Sequence, residues 1–148
     1  MDDVEGCVAC DLARGRRPLA GGLIHRTRHW LVEHCVGPLG VGTLIVKPER
    51  HVVRVWELTA DESAELGPLL RTTGGVVSTL TGTDQVYVCL WSHGPVHIHF
   101  VVQPVDRALA DRIDARVPRL QATMFDSEPL PDEAAVERFA AAARVAFV

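Results

Sequence analysis

The chain has 148 residues, of which 47% are hydrophobic, and its formal net charge is −4. This length is enough to bury one substantial core and too short for two ordinary domains, so we expect a single domain over residues 1–148. Charges of both signs are interspersed, without a basic stripe or a run of like charge, which excludes the usual footprint of a nucleic-acid polymer as partner.

Membrane and secretory signals are also missing from the sequence. No apolar run approaches the roughly 20 residues that cross a bilayer, and the first residues are acidic where a secretory signal is basic. We therefore expect no membrane partner and a cytoplasmic location. In that compartment the four cysteines are expected to be thiols or metal ligands rather than disulfides.

Cys7 and Cys10 form a Cys-x-x-Cys pair in a short N-terminal segment. Alone, such a pair fits a structural zinc site, a redox dithiol or an incidental turn, and a structural zinc needs two further ligands. Cys35 and Cys89 stand singly in apolar runs, where cysteine behaves as a small buried hydrophobe. The N-terminal pair is therefore the one whose partners have to be found elsewhere in the chain.

Residues 28–34 and 42–46 are the first predicted strands, and the Gly-Pro-Leu-Gly sequence between them is typical of a turn. We expect these strands to pair as an antiparallel hairpin. The second strand leads into Val-Lys-Pro and places His51 just past its end. A single exposed histidine at such a position has no functional meaning without partners.

The clearest predicted helix follows this hairpin. Thr59 and Glu62 have the spacing of a capping box, and apolar residues then repeat with a period of 3.6 as far as Gly82. Pro68 and the Gly-Gly pair at 74–75 lie inside the pattern, so we expect a kink or a local break rather than one straight helix.

Residues 85–91 and 96–103 are predicted strands joined by a tight Ser-His-Gly-Pro turn at 92–95, which makes a second hairpin. Side chains alternate across a strand, so His97 and His99 share one face and the intervening apolar residues share the other. A metal, a phosphate or a substrate could reach both imidazoles. The alternative is a pair of half-buried strand histidines satisfied by hydrogen bonds.

The C-terminal third is predicted as a short helix over residues 107–116, a proline-marked loop and an alanine-rich helix over residues 132–147. Together these elements predict an α+β fold. Its antiparallel sheet carries the long helix and the C-terminal helix packed against it.

Four features, in this order, resemble the histidine-triad (HIT) family. They are the Cys7-x-x-Cys10 pair, the strand ending in Val-Lys-Pro-x-x-His51, the long helix, and His97-x-His99 followed by Val-Val-Gln-Pro. The resemblance covers roughly the first hundred residues and is closest to the bacterial zinc-containing members. It implies a HIT-like α+β fold and a homodimer formed through the long helix and a sheet edge.

The resemblance also implies roles for individual residues. Cys7, Cys10, His51 and His97 would hold a structural zinc ion, since a Cys₂His₂ set closes a tetrahedral site without an open position. His99 would be the nucleophile whose neutral imidazole attacks the α-phosphorus of a nucleotide. The expected partner is therefore a nucleotide or another phosphate-containing small molecule.

The sequence departs from the family pattern at several substrate positions. Val101 replaces the third histidine, which is thought to help the leaving group depart as a general acid. Thr43 replaces the histidine of the usual Gly-His strand start, and the short segment with Ser92 and His93 replaces the phosphate loop. We expect Thr43, Ser92 and Trp91 as substrate contacts and His93 as a replacement catalytic acid.

Two functions from different classes are compatible with these residues. The first is a nucleotide-phosphate hydrolase or nucleotidyltransferase that forms a nucleotidyl-histidine at His99, which water, phosphate or a sugar phosphate then resolves. The second is a zinc-stabilised HIT-like domain that binds nucleotide or phosphate with weak or no catalytic activity. The retained His99 favours the first function, and Val101 favours the second.

Overall fold

A computed structural model describes residues 3–148. Five strands form one sheet in the order β1-β2-β3-β5-β4, and every neighbouring pair is antiparallel. The strands are β1 (Leu23–Arg26), β2 (Trp30–His34), β3 (Leu44–Pro48), β4 (Val86–Leu90) and β5 (Phe100–Pro104). The predicted hairpin of β2 and β3 is present, with Val32 opposite Val46.

Five α-helices accompany the sheet over the described residues. They are α1 (Val8–Ala13), α2 (Ala60–Thr81), α3 (Arg107–Arg112), α4 (Pro118–Ser127) and α5 (Glu133–Ala146). Helices α2 and α5 contact the sheet and each other, which confirms the predicted α+β arrangement. No helix in residues 3–148 has the length and apolar character needed to cross a bilayer.

Both faces of the sheet are covered by apolar packing. Val32, Val46 and Val102 point to the face packed by α2 and α5, where they form one hydrophobic core. Ile45 and Val101 point to the opposite face, where they join a second core that includes residues of α3 and α4. Because side chains alternate along a strand, Lys47 and Gln103 also lie on the second face. The α3–α4 segment therefore covers part of the face that the sequence assigns to the histidines.

Helix α2 begins and ends where the sequence predicts. Thr59 Oγ1 accepts a hydrogen bond from Glu62 N at 3.2 Å, and Glu62 Oε2 accepts one from Thr59 N at 2.7 Å. The helix ends at Gly82, whose φ of 72° is left-handed. The predicted local break is wrong, because the helix continues through Pro68. Pro68 and Ala64 are both exposed, so water can satisfy the Ala64 carbonyl that loses its N–H partner.

The second hairpin differs from the prediction. Strand β5 begins at Phe100, which pairs with Leu90, so residues 91–99 form a long connection instead of a tight four-residue turn. The cause is a change of partner: Ile98 N donates to Val52 O at 2.8 Å. The segment that carries the histidines is thus bonded to the chain following β3 rather than to β4.

Helix α4 lies where the sequence predicted no element. Gln121 on its buried side donates to Gln103 Oε1 at 2.9 Å and accepts from Trp91 Nε1 at 2.7 Å. Met124, one turn later, accepts a hydrogen bond from Gln103 Nε2. These contacts attach α4 to β5 and to the start of the connection between β4 and β5.

Candidate metal centre and active site

Two cysteines and two histidines converge at one end of the second sheet face. Cys7 caps α1 and Cys10 lies in its first turn, while His51 follows β3 and His97 precedes β5. Their ligand atoms all lie within 4.8 Å of one another, and we call these four residues the metal cluster. Cys10 Sγ is 3.3 Å from His51 Nδ1 and 3.6 Å from His97 Nδ1. The structure thus brings together the four residues expected as zinc ligands.

His97 is held in an orientation suited to metal binding. It is fully buried, and its Nε2 donates to the Pro48 carbonyl at 2.9 Å, which leaves Nδ1 as the lone-pair nitrogen facing Cys10. Burial is the main reason that the pKa of His97 falls to about 4. A neutral imidazole fixed by a hydrogen bond at its other nitrogen is the form that binds metals.

Cys10 also fits a bound cation. It is buried, and that burial is the main cause that raises the pKa of its thiol to about 11. A divalent cation compensates the charge of a buried thiolate, so metal binding and deprotonation are coupled. Two cysteines and two histidines are a donor set that zinc takes in closed tetrahedral sites.

His99 lies beside the metal cluster but does not belong to it. Its Nδ1 is 3.0 Å from the carbonyl oxygen of His97, and because a carbonyl only accepts, Nδ1 must carry the proton. The neutral ring then has its lone pair on Nε2. The half-buried side chain lines an open cavity of about 460 Å³, which we call the His99 cavity.

The walls of the His99 cavity are mainly apolar. The lining includes Val8 and Leu12 of α1, Ile45 of β3, Val36, and Phe125 of α4. The volume is within the range of pockets that hold small molecules. An apolar cavity lined by a histidine with a free lone pair can hold a small ligand next to that lone pair, which can act as a nucleophile.

Glu33 and Lys47 place a buried ion pair in the lining of this cavity. Lys47 Nζ donates to Glu33 Oε1 at 2.7 Å and to the Ala9 carbonyl at 2.9 Å. Lys47 is 0% exposed and Glu33 is 3% exposed. Burial raises the pKa of the Glu33 carboxyl, while Lys47 and, more weakly, His99 oppose that rise. Sequence reasoning missed this pair. Its signal is one charged residue in each of two otherwise apolar strands.

Thr43 does not reach the cavity. It is 0% exposed, and its hydroxyl donates to the Leu39 carbonyl at 2.7 Å inside the β2–β3 connection. A side chain without exposed surface has no contact to offer a ligand, so the expectation of Thr43 as a substrate contact is corrected.

The three predicted residues of the β4–β5 connection are exposed and do not line the His99 cavity. Ser92 donates to the Val53 carbonyl at 3.0 Å. Trp91 is 60% exposed, and its indole N–H is held by Gln121. His93 lies between Ser92 and the turn at Gly94. These side chains lie in the same connection as His99 but do not enter the cavity.

Val101 is a core residue. It is 6% exposed and packs in the second hydrophobic core with residues of α4, among them Leu120 and Met124. An apolar side chain fits this position because α4 covers it. The place of the third histidine is thus filled by packing.

The sheet, its helical layers and the paired histidines before β5 give this chain the fold of the histidine-triad proteins, as the resemblance implied. A HIT-like protein from Bartonella henselae superposes with a TM-score of 0.73 at 13% identity, covering 99% of both chains. A zinc-bound histidine triad family protein from Mycobacterium smegmatis gives 0.69 at 18%, covering 95% of this chain and 92% of that one.

A hypothetical histidine triad nucleotide-binding protein from Sulfolobus tokodaii strain7 also gives a TM-score of 0.69, at 16% identity, over 95% of this chain and 91% of its own. The sequence matches no family model and no curated protein. At these identities the likeness establishes the fold, and the chemistry has to be argued from the residues of this chain.

Proposed function

We propose that this protein is a nucleotide-phosphate hydrolase or nucleotidyltransferase that acts through a nucleotidyl-histidine on His99. One observation carries the proposal: the hydrogen bond from His99 Nδ1 to the His97 carbonyl, 3.0 Å long. It leaves Nε2 with a lone pair on a side chain that lines a ligand-sized cavity. A histidine needed for packing alone has no use for this arrangement.

In the proposed reaction His99 Nε2 attacks the α-phosphorus in line. The N–P bond forms while the bond from phosphorus to the leaving oxygen breaks, and the ring keeps its Nδ1 proton on the His97 carbonyl. Water or an acceptor hydroxyl or phosphate then attacks the phosphorus, and Nε2 leaves with its electron pair. The protein contributes orientation and electrostatic stabilisation, which are the main terms in phosphoryl-type transfer.

The leaving group decides which substrates react well. Val101 has no ionisable group, so it offers no proton to the departing oxygen, and it packs in the second core. We propose pyrophosphate or sugar phosphates as leaving groups, since these depart without strong acid assistance. His93 remains our proposed replacement acid, supported by its place in the same connection as His99, with Ser92 and Trp91 as proposed contacts at the mouth.

We propose a structural zinc ion on Cys7, Cys10, His51 and His97. The distances within the metal cluster, the Pro48 carbonyl behind His97 and the zinc-bound fold neighbour support it. Bound zinc would supply stability by joining α1 and the chain after β3 to the segment that ends in His99. The chemical step then belongs to His99 itself.

The second candidate is a zinc-stabilised domain that binds nucleotide or phosphate with weak or no catalysis. The packed Val101 and the buried Thr43 favour it, because two positions that would serve a substrate serve the fold instead. Both candidates predict ligand binding in the His99 cavity. They differ in whether a covalent adduct and a released product appear.

We also propose a cytoplasmic homodimer. The free thiols of all four cysteines suit a reducing compartment. Strand β4 lies at the edge of the sheet, and Val88 on it is 48% exposed, which is typical of an edge that pairs with a second copy. Light scattering of the eluted protein would give the mass of a dimer, and a monomer mass at micromolar concentration would contradict this part.

Intact-mass spectrometry separates the two candidates. The protein is incubated with nucleoside diphosphates, dinucleoside polyphosphates and nucleotide sugars and is quenched without acid, because the N–P bond is acid-labile. We expect an added nucleoside monophosphate on wild type and on His25→Ala, a control histidine on β1, and none on His99→Ala. No adduct and no product with any member of the panel would overturn the enzymatic proposal.

A further inference from the structure

The Glu33–Lys47 pair is the polar feature of the His99 cavity that the proposed reaction does not use. Burying two charges costs several kcal/mol per ion before their attraction is counted, so such a pair is a poor way to gain stability. Here the pair lies in the lining of an otherwise apolar cavity, on the same sheet face as His99. This placement indicates a role toward a ligand.

The hydrogen bonds of the pair are unevenly distributed. Lys47 Nζ donates to Glu33 Oε1, and among residues 3–148 no hydrogen bond reaches Glu33 Oε2. Every fully enclosed side-chain nitrogen or oxygen of those residues has a partner, so Oε2 keeps a small accessible surface, in line with the 3% exposure of Glu33. Glu33 borders the His99 cavity and a smaller one of about 300 Å³ under α1, but Lys47 lines the first alone. Glu33 thus borders two cavities, and the His99 cavity is the one whose lining includes both members of the pair.

The chemistry of a matching ligand follows from this inventory. Lys47 already balances the Glu33 charge, so the ligand group needs hydrogen-bond donors without a positive charge. A carboxylate has about four acceptor positions and can receive two parallel N–H bonds. The apolar walls, Ile45 and Phe125 among them, suit a flat ring. Among nucleobases, guanine has adjacent N–H donors at N1 and N2, whereas adenine puts the acceptor N1 beside its amino group and would be repelled.

The separation of the two groups fits one nucleotide. Glu33 lies on β2 and His99 directly precedes β5, with β3 between them. Glu33 is level with Ile45 and Val101, and His99 lies two residues before Val101. With about 4.8 Å between strands and about 3.3 Å per residue along them, the two residues stand roughly 12 Å apart. A base held at Glu33 therefore leaves its ribose and phosphate directed along the cavity toward His99.

We propose that Glu33, fixed by Lys47, is a specificity-determining residue that selects a guanine nucleotide in the His99 cavity. This inference rests on the proposed function, because it takes the ligand to be a nucleotide. Oε2 and the remaining acceptor position of Oε1 receive the two N–H groups of the base, Lys47 Nζ holds the other position of Oε1, and the apolar walls contact the two ring faces. An adenine in the same place leaves the carboxylate unpaired, and a buried polar group left unpaired is strongly rejected.

The test is equilibrium binding of GMP, IMP and AMP to metal-loaded protein by calorimetry. IMP keeps the N1 donor and lacks the amino group at C2. The difference in affinity between GMP and IMP therefore measures the hydrogen bond from N2, and the difference between IMP and AMP reflects the change at N1 and C6. We expect GMP to bind roughly 5- to 150-fold more tightly than AMP, the range given by one bidentate contact, with IMP between them. Equal affinities for GMP and AMP, or no binding of any of the three, would overturn the inference.

Variants assign the preference to Glu33. Glu33→Gln should bring the GMP and AMP affinities within about threefold, and so should the double variant Glu33→Leu with Lys47→Met, which removes both charges and avoids a lone buried ion. Glu65→Gln, which alters a hydrogen-bonded carboxylate outside the cavity, should keep the preference. A double variant that folds and still prefers GMP would contradict the assignment.

The same titrations on His99→Ala keep the two proposals apart. This variant cannot form the adduct but retains Glu33 and Lys47. A GMP preference in His99→Ala, together with no adduct on wild type, would support the specificity role and defeat the enzymatic proposal. An adduct on wild type formed equally from guanine and adenine substrates would do the reverse.

Discussion

The metal cluster and the residues expected to contact substrate, which are His99, Thr43, Trp91, Ser92 and His93, are built differently. At the metal cluster every expected side chain is present, close and buried or half-buried. Among the expected substrate residues, His99 lines the cavity, Thr43 is buried, and the three residues at 91–93 are exposed. The four proposed metal ligands thus match the expected pattern in both residue type and position, whereas of the proposed substrate residues only His99 does.

The largest expected effect comes from breaking the metal cluster. Cys10→Ala removes a buried ligand, so we expect loss of bound zinc and a fall of at least about 4 kcal/mol in the free energy of unfolding. Cys35→Ala, at another buried thiol, should retain zinc and lose about 1 kcal/mol. Metal analysis and denaturant titration measure both. A Cys10→Ala protein with unchanged metal content would contradict the cluster.

Lys47→Met tests the buried Glu33–Lys47 pair, which joins β2 and β3 to α1. It leaves the Glu33 carboxylate without its buried partner and removes the bond from Nζ to Ala9 on α1, so we expect a loss of about 3–5 kcal/mol. Adding Glu33→Leu should restore most of that loss, because the charge no longer needs a partner. Chemical denaturation gives both values. A double variant no more stable than the single one would show that the pair is not the source of the cost.

Val101→His puts the third histidine back and separates chemistry from packing. Because α4 covers position 101, we expect a loss of about 2–3 kcal/mol and no gain in turnover. Thermal unfolding and product release are the measurements. A faster reaction with poor leaving groups would mean that the position still opens to substrate.

The smallest expected effect comes from Glu62, which pairs with Arg50 next to the metal cluster but is not one of its four residues. The hydrogen bonds from Arg50 are the main reason that the pKa of Glu62 lies below its ordinary value. The Glu62 carboxyl therefore binds its proton less tightly in the folded protein than in the unfolded chain. The Glu62–Arg50 pair stabilises the fold at neutral pH, and this stabilisation is lost as the pH falls below about 4.5. Glu62→Gln should make the free energy of unfolding less dependent on pH below about 4.5, without changing metal content. Loss of zinc from Glu62→Gln would contradict the expectation that Glu62 is not needed for metal binding.

The metal cluster could be predicted from sequence because its residue types are chemically distinctive. Cys7, Cys10, His51 and His97 come from three segments that the family resemblance puts in order, and only their convergence needed the structure. The substrate residues could not be predicted in the same way. Whether a threonine such as Thr43 faces a ligand depends on burial, and its burial depends on the whole β2–β3 connection.

The fold was predictable where apolar residues repeat and less so elsewhere. Helix α4 was not predicted because the side that packs on β5 carries the polar Gln121, which interrupts the apolar repeat. Strand β1 is only four residues long and alternates too briefly to give a signal. The segment before Phe100 was predicted as a strand because alternation of apolar residues does not reveal which segment Ile98 N will bond. Glu33 and Lys47 were missed because a charged strand residue suggests exposure unless its diagonal neighbour is known.

The central claim is the division of work between two adjacent histidines, His97 for the metal and His99 for phosphorus. Native mass spectrometry reads both in one spectrum, after incubation of wild type and His99→Ala with a nucleotide sugar. The account predicts one zinc ion on both proteins and a nucleoside monophosphate adduct on wild type alone. An adduct that persists on His99→Ala, or a wild-type protein without zinc, would contradict it.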